Sequence, residues 1–189
     1  MAEVLVLVKV AGGAVSKPTL EALTLARGLG EPAAVVVEAP GTAQALVERL
    51  GEYGATKVYV AESAEATTYL VTPKAAVLET LVRQASPAAV LIPSTQEGRE
   101  VAARLAVRLD NGVLVDVVDL AADGTATQSI FAGSITVKSK VTRGIPLVTV
   151  RPSSVTPTPA PTTPTVTPVE VTLTATDQLA TVTERVAET

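Results

Sequence analysis

The chain has 189 residues, of which 47% are hydrophobic and only 2% aromatic. This length suits one ordinary domain with an appendage, and the apolar fraction excludes bulk disorder. With no histidine, no cysteine and a net charge of −4, the composition supplies no thiolate or imidazole for catalysis, no usual zinc set and no disulfide. It also lacks the basic surplus and stacking rings of a nucleic-acid binder.

The N-terminus runs from Glu3 into Val4, Leu5, Val6, Leu7 and Val8. The run is too short for a secretory signal or a membrane span. It reads as a buried first strand over residues 4–10, and the chain as cytoplasmic. Gly12 and Gly13 follow as a flexible turn; the third glycine of a GxGxxG pattern is missing, and no GxxxxGK[ST] occurs. Ser16 and Pro18 signal a helix whose apolar face carries Leu20, Leu23 and Ala26 up to Gly28 and Gly30. A second strand over 33–37 closes at Pro40-Gly41, and a helix from about residue 42 turns Leu46, Val47 and Leu50 inward. The third strand covers 57–61. Pro73 opens a helix through Leu78, Leu81 and Val82, which Ser86-Pro87 ends before a fourth strand over 88–92. A helix over 98–109 gathers Val101, Ala102, Leu105 and Leu109 on one face, with Asn111-Gly112 as its left-handed cap.

Nearly all-apolar strands alternating with helices predict a parallel sheet covered on both faces. Beyond residue 112 the pattern changes. Residues 113–120, 127–131, 135–141 and 147–150 are strand-like, joined by Asp123-Gly124, Gly133 and Gly144-Ile145-Pro146 with no helical pattern between them. At least one antiparallel hairpin should extend the sheet edge. After Arg151 come Pro152, Pro157, Pro159, Pro161, Pro164 and Pro168 among Thr, Ser and Val. This composition predicts an extended, mobile linker with no sheet ladder of its own. Residues 169–173 then alternate like a strand that wants one face buried, 181–186 are a second candidate, and this tail is expected to dock back on the sheet edge. The division is therefore 1–152 as an α/β domain, 153–168 as linker and 169–189 as tail.

Ligands of such sheets bind at the carboxyl ends of the strands, near helix N-termini. The fourth strand ends in Pro93-Ser94-Thr95-Gln96-Glu97-Gly98-Arg99. Ser94, Thr95, Gln96, Gly98 and Arg99 make a candidate anion or nucleotide loop. The competing reading is a helix cap by Ser94 or Thr95, completed by Glu97 or Glu100. Arg99, Arg104 and Arg108 form either a solvated stripe or a partner-facing ridge. Asp116 and Asp119 stand three apart in a strand, so they point to opposite faces and make no carboxylate pair. Lys138, Lys140 and Arg143 guard an edge strand. No catalytic residue and no metal-ligand set emerges, and a hydrolase is disfavoured.

Several runs, taken in order, resemble the electron-transfer flavoprotein α subunit, and its actinobacterial members most. They are Val4 to Val8, Leu25-Ala26-Arg27-Gly28-Leu29-Gly30, Gly54-Ala55-Thr56-Lys57-Val58-Tyr59-Val60, Val90-Leu91-Ile92-Pro93-Ser94-Thr95, Gly98-Arg99 with Ala102-Ala103-Arg104-Leu105-Ala106, Phe131-Ala132-Gly133-Ser134, and Pro146-Leu147-Val148-Thr149-Val150-Arg151-Pro152. The resemblance covers residues 1 to about 152 well and 153–189 loosely. It implies a three-layer Rossmann-like fold of the adenine-nucleotide-hydrolase kind, with a mostly parallel sheet and an added antiparallel hairpin. It also implies the family's N-terminal scaffold and subunit-interface domain, without the C-terminal FAD domain, whose Val-Val-Ser-Gly-Gly-Arg-Gly-like segment is absent here. FAD belongs to that other domain and AMP to the β subunit. The resemblance therefore implies no cofactor on this chain and a vestigial loop at 94–99. Implied partners are the β subunit and, through the whole complex, flavin dehydrogenases such as the acyl-CoA dehydrogenases of fatty acid β-oxidation. The complete heterodimer would pass their electrons to an acceptor. The competing function is a free-standing adenine-nucleotide-binding module using Ser94, Thr95 and Gly98.

Overall fold

The computed structural model describes residues 2–184 and 186. Strand β1 (Glu3–Leu7) leads into a small hairpin of β2 (Val10–Ala11) and β3 (Ala14–Val15). Gly12 and Gly13 close it with φ of 57° and 76°, the left-handed pair that a two-residue turn demands. Helix α1 (Lys17–Ala26) takes Pro18 in its first turn, β4 (Glu31–Glu38) and α2 (Gln44–Glu52) follow, and β5 (Lys57–Glu62) completes the first half. A one-turn helix α3 (Glu65–Thr68) precedes α4 (Thr72–Ala85), β6 (Ala89–Pro93) and α5 (Gln96–Leu109). Then come β7 (Leu114–Leu120), β8 (Ala126–Ile130), β9 (Ile135–Ser139), β10 (Leu147–Val150) and β11 (Thr165–Pro168).

The nine-stranded sheet has the order β11-β5-β4-β1-β6-β10-β7-β8-β9, parallel from β11 to β7 and antiparallel from β7 to β9. Period-two alternation feeds two cores from the same strands. Val4, Val6, Val36, Leu91 and Val148 pack with Leu20, Leu23, Leu46 and Leu50 of α1 and α2. Leu5, Leu7, Val35, Ile92 and Leu147 pack with Leu78, Leu81, Val101 and Leu105 of α4 and α5. The result is a three-layer, Rossmann-like α/β fold with an antiparallel extension. From β1 the chain winds to β4 and β5 on one side, then crosses to β6 on the other, so the topological switch point lies between the carboxyl ends of β1 and β6.

Four details depart from the sequence reading. The left-handed cap of α5 is Asp110, with φ 53°, and not Asn111-Gly112. Asn111 is diverted: its side chain donates to the Ile145 carbonyl and accepts from the Ile145 N–H, tying the start of β7 to the run into β10. β10 does not continue the meander but inserts between β6 and β7, and all four of its residues are buried. Simple alternation also fails in β7. Its ladders shift register and Asp116 is left-handed, so Val117 and Leu120, three apart, enter the same core.

The fourth departure is the proline-rich stretch, which is an ordered strap. It crosses α1 and α2 and joins the sheet as β11, parallel to β5. The edge strand is Thr165–Pro168, and residues 169–173 form no strand, although Val169 and Val171 pack against the α4/α5 core. Proline removes only its own donor, and here each proline immediately precedes a residue that donates. Ser153 N–H bonds Glu21 Oε2, Thr158 N–H bonds Thr24 Oγ1, and the N–H groups of Ala160, Thr162, Thr165 and Val169 bond the carbonyls of Glu52, Gly51, Thr56 and Val60. In the second candidate strand, Thr181 makes an isolated antiparallel bridge to Tyr69; residues 185 and 187–189 lie outside the described residues.

Candidate functional site at the switch point

The switch-point crevice is bounded by the chain leaving β1 and by the turn from β6 into α5. A cleft of about 290 Å³ lies there, with Lys9, Glu38, Tyr69, Leu70, Lys74 and Glu97 among its lining. It shares Lys9, Leu70, Val71 and Glu97 with a wider groove that reaches Thr95 and Gln96.

Three charged side chains meet across the crevice. Lys9, two residues beyond β1, donates to Glu97 Oε2 at 3.0 Å, and Lys74, in the first turn of α4, donates to Glu97 Oε1 at 2.7 Å. Lys74 is only 12% exposed and Glu97 29%. Burial alone would raise the Glu97 carboxyl, but the charge and hydrogen bond of Lys74, with those of Lys9, outweigh it and hold the group below the ordinary carboxylate range. Glu97 also stands in the first turn of α5, where the helix dipole favours an anion. The N-terminal turn of α5 thus carries one of the chain's own carboxylates, neutralised by two lysines from other segments.

A second carboxylate, Glu62 at the end of β5, meets the start of a helix through backbone amides. Ala43 N–H, at the start of α2, donates to Glu62 Oε1 at 2.6 Å. That bond, against burial and helped by the amides of Gly41 and Thr42, lowers the Glu62 carboxyl.

The five loop candidates do not converge on one ligand position. Thr95 is the N-cap of α5, its Oγ1 accepting from Gly98 N–H at 3.0 Å. Neither Glu97 nor Glu100 completes a capping box, because with Thr95 as N-cap the N3 position is Gly98; Glu97 pairs with the lysines and Glu100 with Arg104. Ser94 is buried, its N–H on the Val150 carbonyl and its hydroxyl 3.1 Å from Thr149 Oγ1. Gly98 is required by packing: a Cβ there would collide with the Pro93 carbonyl oxygen. Gln96 and Arg99 are exposed, and the Arg99 guanidinium donates to the Ser94 carbonyl at 3.4 Å. Of the amides in this loop, those of Ser94, Thr95, Gly98 and Arg99 bond within the chain.

Several of the other charged candidates have internal partners. Arg108 bonds Glu79 and, in the tail, Asp177. Asp116 receives Arg151 Nε at 2.8 Å, and this bond, against burial, lowers its carboxyl. Asp119 is exposed. Lys140 pairs with Asp123 and Arg143 with Asp110. No group of three or more metal-ligating side chains occurs among the described residues. Sequence reading missed Lys9 and Lys74. The available signal for Lys9 was a lysine placed directly after a wholly apolar strand, where a charged side chain must find a partner or water.

A family model described as the electron transfer flavoprotein domain matches residues 4–177. The chain belongs to the electron transfer flavoprotein family. It is 51% identical over 155 residues to the electron transfer flavoprotein subunit alpha of Mycobacterium tuberculosis, covering 82% of this chain and 49% of that protein. The corresponding subunit of Mycobacterium leprae is 47% identical over 155 residues, and that of Bacillus subtilis 27% over 157. The chain thus spans about half the length of the curated relatives it matches. Among the described residues no helix is long and apolar enough to cross a membrane.

Proposed function

We propose that this chain is the non-catalytic, N-terminal scaffold of an electron transfer flavoprotein α subunit. In this reading it is cytoplasmic, contacts a β subunit and supports a flavin-bearing second half. FAD sits in that half and AMP in the β subunit. The complete heterodimer then takes electrons from flavin dehydrogenases, such as acyl-CoA dehydrogenases, and passes them to an acceptor. No residue type in this chain carries electrons by itself. The observation that supports a scaffold over a nucleotide module is Glu97, a carboxylate in the first turn of α5 that takes up the Lys9 and Lys74 ammonium groups of the cleft.

The test is a calorimetric titration with AMP and ATP. The scaffold reading expects no binding tighter than about 0.1 mM, roughly −5.5 kcal/mol. Micromolar binding abolished by Gly98→Trp would establish the adenine-nucleotide module built on Ser94, Thr95 and Gly98 instead.

A further inference from the structure

Beyond the strap, the tail folds against one wall of the switch-point cleft. Thr174 caps a single 3₁₀ turn (Ala175–Gln178), and Asp177 is its anchor. The Asp177 carboxylate accepts from Thr174 N–H at 2.9 Å and Thr174 Oγ1 at 2.8 Å, and pairs with Arg108 of α5. Its side chain is 2% exposed. The Asp177 carbonyl accepts from Thr72 Oγ1 at 2.6 Å. Further along, Leu70 N–H donates to the Ala180 carbonyl at 3.1 Å, and Val182 N–H donates to the Thr68 carbonyl at 2.8 Å. Tyr69 and Thr181 form an antiparallel bridge.

The tail is therefore laid along residues 68–72, and Tyr69, Leu70 and Val71 of that segment line the cleft. At its centre Val71 has φ 44° and ψ −29°. A β-branched residue is poorly suited to that left-handed conformation. Such a residue persists only where its surroundings over-determine it. Here they are the α4/α5 core, which buries the Val71 side chain, and the tail bonds to its two neighbours, Leu70 and Thr72.

We propose that the tail is a latch on the cleft wall. Seated by Asp177, it holds the Val71 turn in its left-handed form and fixes the wall over residues 68–72. Released, the turn relaxes and the wall opens. The position of residues 174–182 is thereby coupled to the switch-point cleft, about which the electron-transfer reading says nothing. The latch uses only groups of this chain and stands or falls separately from that reading.

The chain has no cysteine, so one introduced thiol is a clean reporter. Ala66→Cys places it in the cleft lining, on α3. Asp177→Ala on that background removes the Arg108 pair and the turn's cap. The thiol's reaction rate with a disulfide reagent is expected to rise by about fivefold or more, with faster hydrogen exchange at Leu70 and unchanged exchange in β1 and β6. Thr72→Val, which removes a single wall-to-tail bond, should move the reporter the same way, and it carries the test if Asp177→Ala does not fold. Arg104→Ala breaks only a pair with Glu100 on the same helix and should leave the reporter unchanged. A thiol rate within about twofold of the parent, while Val182 exchanges faster, overturns the proposal; so does an equal response to Arg104→Ala.

Discussion

Glu97 and Gly98 stand side by side and owe their importance to different forces. Glu97 is a charge site. Its carboxyl lies below the ordinary range in the folded chain, so it contributes stability that is fully present at neutral pH and is lost as pH falls through the lowered value. Glu97→Gln leaves Lys74 largely buried and unpaired. With Glu97 itself 29% exposed, the expected loss is about 1–2 kcal/mol at pH 7. Urea melts should show the gap between parent and variant closing as the pH is lowered through that range. Gly98 is a packing site. Gly98→Ala drives a Cβ into the Pro93 carbonyl and should cost about 2–3 kcal/mol with no dependence on pH, read from the same melts. Both residues were visible in the sequence, but with other roles. The glycine looked like part of a ligand cradle and the glutamate like a capping partner. Loop composition alone does not say which backbone passes within contact of Gly98, nor that two lysines from distant segments arrive at Glu97.

At the scale of the element, the strap shows how position outweighs composition. Six prolines in seventeen residues (152–168) suggest a segment without a ladder, because each lacks a donor. Parallel pairing, however, uses the donor of every second residue only. Within β11 and its flanks the prolines fall on positions 164 and 168, and the donors at Thr165 and Val169 remain. The outward-facing nitrogens of Pro164 and Pro168 also remove two donors that a further strand would use and leave only that of Val166 between them, which protects the edge. Thr165→Pro should therefore cost about 2–3 kcal/mol, as for a ladder bond removed within a strand. Val166→Pro, at the outward parity, should stay within about 1 kcal/mol. Thermal or urea melts of the two variants decide it; equal losses would show that the register is wrong. The strap also explains a residue that looks misplaced on α1. Glu21 is buried because the strap covers it, and its Oε2 accepts Ser153 N–H at 2.9 Å. Helical periodicity identified the face of α1 that meets the sheet, through Leu20, Leu23 and Ala26. It could not identify a second buried side created by chain more than a hundred residues away.

Over the whole molecule, the sheet ends on two differently protected edges. One is β9, whose Lys138 is exposed, and the other is β11 with its prolines. Removing everything after Arg151 would leave β5 as the edge, with Val58 and Val60 stripped of their neighbours and the carbonyls of Gly51, Glu52, Thr56 and Val60 without their donors. A chain ending at Arg151 should remain folded around β1, β4 and β6 yet self-associate more than the 189-residue chain, as measured by light scattering at matched concentration. Equal scattering would show that the strap does not guard this edge. In the intact chain the same bonds should make the amides of Ala160, Thr162, Thr165 and Val169 slow to exchange, as in the rest of the sheet.

The sequence by itself determined the layered architecture. Strands of nearly pure Val, Leu and Ala must be buried on both faces, and helices with one apolar stripe must supply the cover, so β1, α1, β4, α2, β5, α4, β6 and α5 follow from local pattern with only their ends displaced. The family resemblance was likewise carried by short runs in order. Tertiary structure alone decided that β10 enters the sheet between β6 and β7, that the proline stretch supplies an edge strand, and that Lys9 and Lys74 meet at Glu97. Each of those outcomes depends on a partner far away in the chain. Burial and periodicity are properties of a segment, whereas a hydrogen bond or an ion pair exists only once folding has brought its second half into reach.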